Sequence, residues 1–275
     1  MSLGFSIGMK KIHFLILIVL LFATVVISYF YLYNRWKHLW VLENPKPFYS
    51  VFSHQDDTLR VVMIGDSWVG MRTENLNNIF QSKLKELTDR PVVLKTKGKG
   101  GEISRGIYQL MFEKDGYGTQ SILFNGADYC VVFAGINDAG TNKGVDQYLY
   151  HYKLILDFLF RNKIRPVVVE IPDVNIWNVY GKKPIKDLLG DYLRSTMTGC
   201  DMYNYREYRE ALIDMLLKDN LMKDVLLISM KDWNGESETV KKELFLDDQI
   251  HLNRHGYDLL DSCICMKISQ DYKSW

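Results

Sequence analysis

The chain has 275 residues, with Lys+Arg 34 against Asp+Glu 33. That balance removes the usual electrostatic case for a nucleic-acid partner, which needs concentrated positive charge. A 47% hydrophobic content supports a large packed core, and the absence of a fixed-period repeat argues against a solenoid.

Residues 1–13 read as a short tail, in which Met1 to Gly8 looks unlike the rest and Met9-Lys10-Lys11 already makes a signal-anchor beginning. Phe14 to Tyr33 is apolar except for Thr24 and Ser28. As a helix it would span about 30 Å, the thickness of a bilayer's hydrocarbon core. Tyr29, Tyr31, Tyr33, Trp36 and Trp40 crowd its C-terminal end, where interfacial aromatics belong. Lys10 and Lys11 favour a cytoplasmic N-terminus, against which Arg35 and Lys37 set a weak opposing bias. A cleaved signal peptide is the competing reading. The length of the run and the lack of an A-x-A-like site after it favour an uncleaved anchor over 14–33, with the remainder outside the cytoplasm. Residues 34–59 read as a juxtamembrane linker, because Pro45 and Pro47 break any helix.

Residues 60–275 read as one domain. Val61–Ile64 is a short strand ending at Gly65, followed by a helix over Thr73–Leu87. Val92–Lys95 is a second strand, and Ser104–Phe112 a helix. Tyr129–Ala134 is a third, fully buried strand, and Asp146–Phe160 an amphipathic helix. Pro166–Ile171 and Val225–Ser229 give strands four and five, and Asn253–Ile268 a closing helix. Strands alternating with helices predict βαβ crossovers and a parallel sheet covered on both faces. Ligands then bind beyond the carboxyl ends of the strands. Cys130, Cys200, Cys263 and Cys265 form no C-x-x-C pair. Cys130 reads as core, Cys263 and Cys265 point to different helix faces, and spacing identifies no disulfide for Cys200.

Polar motifs follow the first three strands. Gly65-Asp66-Ser67-Trp68 places a serine at a strand end but is not a G-x-S-x-G elbow. Gly98-Lys99-Gly100-Gly101-Glu102 lacks the Walker spacing, so it does not read as a phosphate cradle. Gly135-Ile136-Asn137-Asp138 offers an amide donor. Near the C-terminus, Asp248-Gln249-Ile250-His251 lets a carboxylate fold back onto an imidazole across a turn. His251 and His255 are four apart, but the Glu of H-E-x-x-H is missing, so no metal site is expected. Taken singly, each motif reads as a turn or a cap.

Their combination and order resemble the SGNH (GDSL-type) hydrolases, whose marker blocks supply Ser, Gly, Asn and His. The resemblance runs from about Val61 to Tyr257 and assigns Ser67, Gly101 (or its neighbour Gly100), Asn137 and His251, with Asp248 completing a triad. It implies a three-layer α/β/α, flavodoxin-like fold around a mainly parallel five-stranded sheet. It further implies an esterase, often acting on carbohydrate acetyl groups, that needs no cofactor. Ser67, His251 and Asp248 would be catalytic. The Ser67 and Gly101 N–H groups and the Asn137 amide would form an oxyanion hole, supported by Asp66, Gly135 and Asp138. The segment 172–208 carries Trp177, Tyr180, Tyr192, Tyr203, Tyr205 and Tyr208. Such rings suit an acylated sugar, although each taken alone reads as core packing. Two other functions share these residues: an O-acetyltransferase passing the acyl group to a sugar hydroxyl, and a catalytically silent glycan-binding protein.

Overall fold

The computed structural model describes residues 3–39, 42–174, 177, 182–233 and 237–273, with backbone only at 3–10, 30, 33–39, 238 and 240–241. It divides into two units, Met1–Val41 and Leu42–Trp275. The first contains one helix, α1 (Leu3–Leu39), longer than the span expected from the sequence. Its 19-residue stretch Lys11–Tyr29 is long and apolar enough to cross a membrane or to serve as a signal anchor. Trp40 lies outside the described residues, as do the side chains of Tyr33 and Trp36.

In the second unit, the residues expected as linker lie on the domain surface. Glu43 Oε2 accepts from Arg105 and Gln109, the Lys46 N–H donates to the Tyr108 hydroxyl at 2.7 Å, and the Tyr49 hydroxyl donates to the Met111 carbonyl at 2.6 Å. The Tyr49 ring packs 4.7 Å from that of Phe158. No helix is described over residues 42–58, and the extended chain there still finds partners for its polar groups.

The strands are β1 (Leu59–Gly65), β2 (Val92–Gly98), β3 (Tyr129–Phe133), β4 (Arg165–Val169) and β5 (Leu226–Ile228). They form one sheet in the order β2-β1-β3-β4-β5, parallel throughout. The fold class expected from the sequence is the one observed. Every residue of β3 is buried, as a central parallel strand requires, and each Val so enclosed contributes about 1.5–3 kcal/mol.

Between the strands lie α2 (Ser67–Gly70), α3 (Glu74–Thr88), α4 (Ser104–Leu110), α5 (Gln120–Phe124), α6 (Ile136–Gly140), α7 (Val145–Arg161), α8 (Ile185–Thr198), α9 (Tyr205–Lys218), α10 (Glu238–Leu244) and α11 (Arg254–Tyr272). One layer packs α3 against α11, and the other packs α4 and α9 against α7. Helix starts follow capping chemistry: Thr73 accepts from Leu76 N–H and Asn253 from Gly256 N–H. The strand order reverses around β1, and in such sheets ligands bind at the carboxyl ends of the strands beside the reversal, here β1 and β3. Register brings Gly65 level with Gly98 and with Phe133, so the loops after three strands leave the sheet in one row.

Candidate active site

Ser67 is the first residue of α2, directly beyond β1. Asp66 caps that helix, its Oδ1 accepting the Trp68 N–H at 3.0 Å. Two further bonds hold the turn against the C-terminal region. Trp68 Nε1 donates to the Ile250 carbonyl at 3.1 Å, and the Tyr257 hydroxyl donates to the Trp68 carbonyl at 2.8 Å. His251 is thereby held opposite Ser67, with Nε2 at 2.9 Å from Ser67 Oγ. On the other side of the ring, Nδ1 lies 2.6 Å from Asp248 Oδ2. Asp248 Oδ1 accepts the backbone N–H groups of Ile250 and His251, each at 2.9 Å, closing the turn foreseen from the three-residue spacing. Partial burial tends to raise the Asp248 pKa, but the bonds from His251 and these two backbone donors outweigh it and hold the carboxyl below its usual range. The side chains of His251 and Asp248 remain 27% and 38% exposed, so the pair faces solvent rather than a sealed cavity.

The remaining predicted residues surround this pair unequally. Asn137 is buried on α6, and its Nδ2 donates to the Glu102 carbonyl at 2.9 Å and stands 3.5 Å from Asp66 Oδ2. Asp138 reaches the start of α4, accepting the Ser104 N–H at 2.9 Å and the Ser104 hydroxyl at 2.6 Å. It thus caps from another loop a helix whose own N-cap residue, Ile103, offers no side-chain acceptor. Burial pushes the Asp66 carboxyl up to about 7 and that of Asp138 to about 6. Gly135 precedes α6 at φ 123, and a side chain there would run into Ile171 and Tyr148. Gly101 has φ 73, and neither it nor Gly100 has an atom near the position of an added Cβ.

Sequence reasoning missed several supports. A Cβ on Gly98 would collide with Gly70 N and the Asp66 carbonyl, so β2 approaches the serine turn only because no side chain intervenes. Arg72 and Asp261 form a buried bidentate pair at 2.8 Å and 2.8 Å, joining the segment after α2 to α11. Nothing in the sequence marks either charge as buried, and their pairing spans 189 positions. Of the rings in 172–208, Tyr203, Tyr205 and Tyr208 are core, Trp177 and Tyr192 are exposed, and Tyr180 lies outside the described residues. Cys130, Cys200, Cys263 and Cys265 are all free, with Cys265 buried and Cys263 half-buried on α11.

A family model for the GDSL-like lipase/acylhydrolases matches residues 63–259, most of the second unit. The chain belongs to that family. It is therefore a serine ester hydrolase of the GDSL type, as the motif order implied. Solved structures carry the same fold at low identity. A lipase/acylhydrolase from Enterococcus faecalis has 14% identity and TM-score 0.57, over 78% of this chain and 96% of its own. The acetylxylan esterase of Geobacillus stearothermophilus has 15% identity and TM-score 0.52, over 76% and 94%. A lipase from a goat rumen metagenome has 12% identity and TM-score 0.50, over 76% and 97%. No curated protein matches the chain.

Proposed function

We propose that this GDSL hydrolase is a membrane-anchored esterase that removes short acyl groups, acetyl above all, from carbohydrate on the extracytoplasmic side. The observation that carries the proposal is the unbroken path from Asp248 through His251 to Ser67, at 2.6 Å and 2.9 Å. In this reading His251 Nε2 takes the Ser67 proton as Oγ attacks the ester carbonyl. Asp248 holds the ring in the tautomer that leaves Nε2 able to accept, and stabilises the imidazolium that forms. The tetrahedral oxyanion meets the Ser67 and Gly101 N–H groups and the Asn137 amide, whose plane the Glu102 carbonyl fixes in advance. Collapse expels the alcohol with a proton from His251 and leaves an acyl-serine. Water, deprotonated by the same histidine, then releases the acid.

Partial exposure of the triad supports a substrate presented at a surface, such as an acetylated polysaccharide, over a long acyl chain that needs an apolar tunnel. The acetylxylan specificity of one structural neighbour and the exposed Trp177 ring support the same class. Anchoring is supported by the length and exposure of the Lys11–Tyr29 helix. The test measures acetate release from acetylated xylan, peptidoglycan and capsule fragments. Ser67→Ala and His251→Ala should abolish it with the fold intact by circular dichroism. Full activity in either variant removes the triad, and turnover confined to lipid or thioesters removes the substrate class.

A further inference from the structure

Helix α8 packs with its polar side inward. Its buried residues are Gly190, Asp191 and Ser195. Asp191 accepts the Tyr203 hydroxyl, pairs with Lys183 at 2.9 Å and also with Arg194, while the Ser195 hydroxyl donates to the Cys200 carbonyl at 2.6 Å. Facing out, at positions i, i+4 and i+7, stand Ile185, Leu189 and Tyr192, 85%, 58% and 60% exposed. A surface helix of a soluble domain has the opposite polarity. Lys182 and Lys186 are exposed beside the stripe. Aliphatic side chains, a tyrosine and flanking ammonium groups are what a helix lying in a bilayer interface presents. Ile185 and Leu189 offer nothing to a polyhydroxyl sugar.

The place of α8 on the domain agrees. Its C-terminal end is tied to the start of α7, where the Val145 N–H donates to Cys200 Sγ at 3.3 Å. The chain enters the domain at the next turn of the same helix. The Glu43 N–H donates to His151 Nε2 at 3.3 Å, and the Tyr150 hydroxyl donates to the Glu43 carbonyl at 2.9 Å. The C-terminal end of α8 and the segment beginning at Glu43 thus both contact the N-terminal half of α7. Along the chain, α1 ends at Leu39 and the second unit begins at Leu42.

We propose that α8 is a second membrane contact, seating Ile185, Leu189 and Tyr192 at the headgroup–acyl boundary of an anionic bilayer, with Lys182 and Lys186 at the phosphates. The proposal rests on the anchor reading above and adds an orientation to it. The test places the full chain, one copy per nanodisc, in discs of phosphatidylcholine and phosphatidylglycerol containing a lipid-borne nitroxide. A bimane probe is attached at Ile185→Cys or, as control on the layer that does not contain α7, at Glu86→Cys on α3, both with Cys263→Ser. Quenching at 185 should exceed that at 86 by about threefold or more. It should fall to the control level when Leu189→Glu is added, while turnover of a soluble ester stays unchanged. Lys182→Glu with Lys186→Glu should weaken it in the anionic discs. Equal quenching at the two sites, or insensitivity to the glutamates, overturns the contact. Shielding of position 185 only when two chains share a disc, with no lipid quenching, assigns the stripe to a second copy and overturns it as well. A chain that does not stay with the disc defeats the anchor and this proposal together, whereas a retained chain with an unquenched probe defeats the α8 contact alone.

Discussion

Two carboxyls set the chemistry of the loops beside Ser67. Asp66 and Asp138 are each almost fully enclosed, and burial raises both pKa values, to about 7 and about 6. A carboxyl raised in this way keeps a proton in the folded protein that the unfolded chain has already released. Stability therefore falls as pH climbs from about 4 through about 7, and stays lower above that. Asp248 works in the opposite sense: its lowered pKa gives a contribution present above the unfolded carboxylate value and lost as pH drops through the folded one. Asp66→Asn keeps an acceptor for the Trp68 N–H and removes the buried charge. Thermal melts should show a flatter stability profile between about pH 4 and 7 and a higher midpoint at about pH 8. An unchanged slope would exclude Asp66 as its source. Asn137 is the residue whose loss should act on rate alone. Its amide is fixed by the Glu102 carbonyl before any substrate arrives, so Asn137→Ala should lower kcat by about 10²–10³ with little change in KM. A rise in KM at constant kcat would make Asn137 a ground-state binding group instead.

At the scale of elements, the two halves of the proposed triad come from opposite ends of the domain, and specific contacts hold them in register. Ser67 rides on α2 and His251 on the loop before α11, and between them run the Trp68–Ile250 and Tyr257–Trp68 bonds and the Arg72–Asp261 pair. Arg72→Met would strand a buried carboxylate whose pKa burial already raises, and should cost about 3–5 kcal/mol. Adding Asp261→Leu should restore most of that stability, because no unpaired charge then remains. Urea unfolding of the two single variants and the double variant measures the coupling, and strictly additive losses would show that the pair does not act as a unit. Much of this architecture was legible in the sequence. The five strands stood out as apolar runs ended by Gly or polar turns, and α3, α7 and α11 as periodic stretches. The Asp248–His251 turn followed from spacing alone. Helices α8 and α9 were not read. The aliphatic residues of α8 face out and its polar ones in, while the buried Tyr205 and Tyr208 of α9 sit among charges that blur its period. Trp68 looked like the tail of a motif, and only the fold shows its indole N–H holding the histidine loop in place. Gly98 gave no signal of its own, since what makes it necessary is the nearness of Gly70 and Asp66.

For the whole molecule, the decisive feature is the apolar stretch of α1. Nineteen residues from Lys11 to Tyr29 rise about 28 Å at 1.5 Å each, close to the hydrocarbon thickness of a bilayer. Side chains this apolar are costly to leave in water, at about 25 cal/mol per Å² of exposed apolar surface. Two fates relieve that cost: retention in the membrane, or removal with a signal peptide. Retention predicts that the intact chain sediments with membranes and resists extraction at high pH. Deletion of residues 11–29 should then release an esterase of unchanged specific activity on a soluble ester, because no residue proposed for the triad or the oxyanion hole lies before Ser67. Protease added to intact cells should digest the domain of the anchored form, as an extracytoplasmic site requires. Recovery of a soluble chain beginning after residue 33 would show that the helix is cleaved, and protection of the domain in intact cells would reverse the topology. The activity would survive either result, since the contacts that hold Ser67, His251 and Asp248 together all lie within residues 42–275.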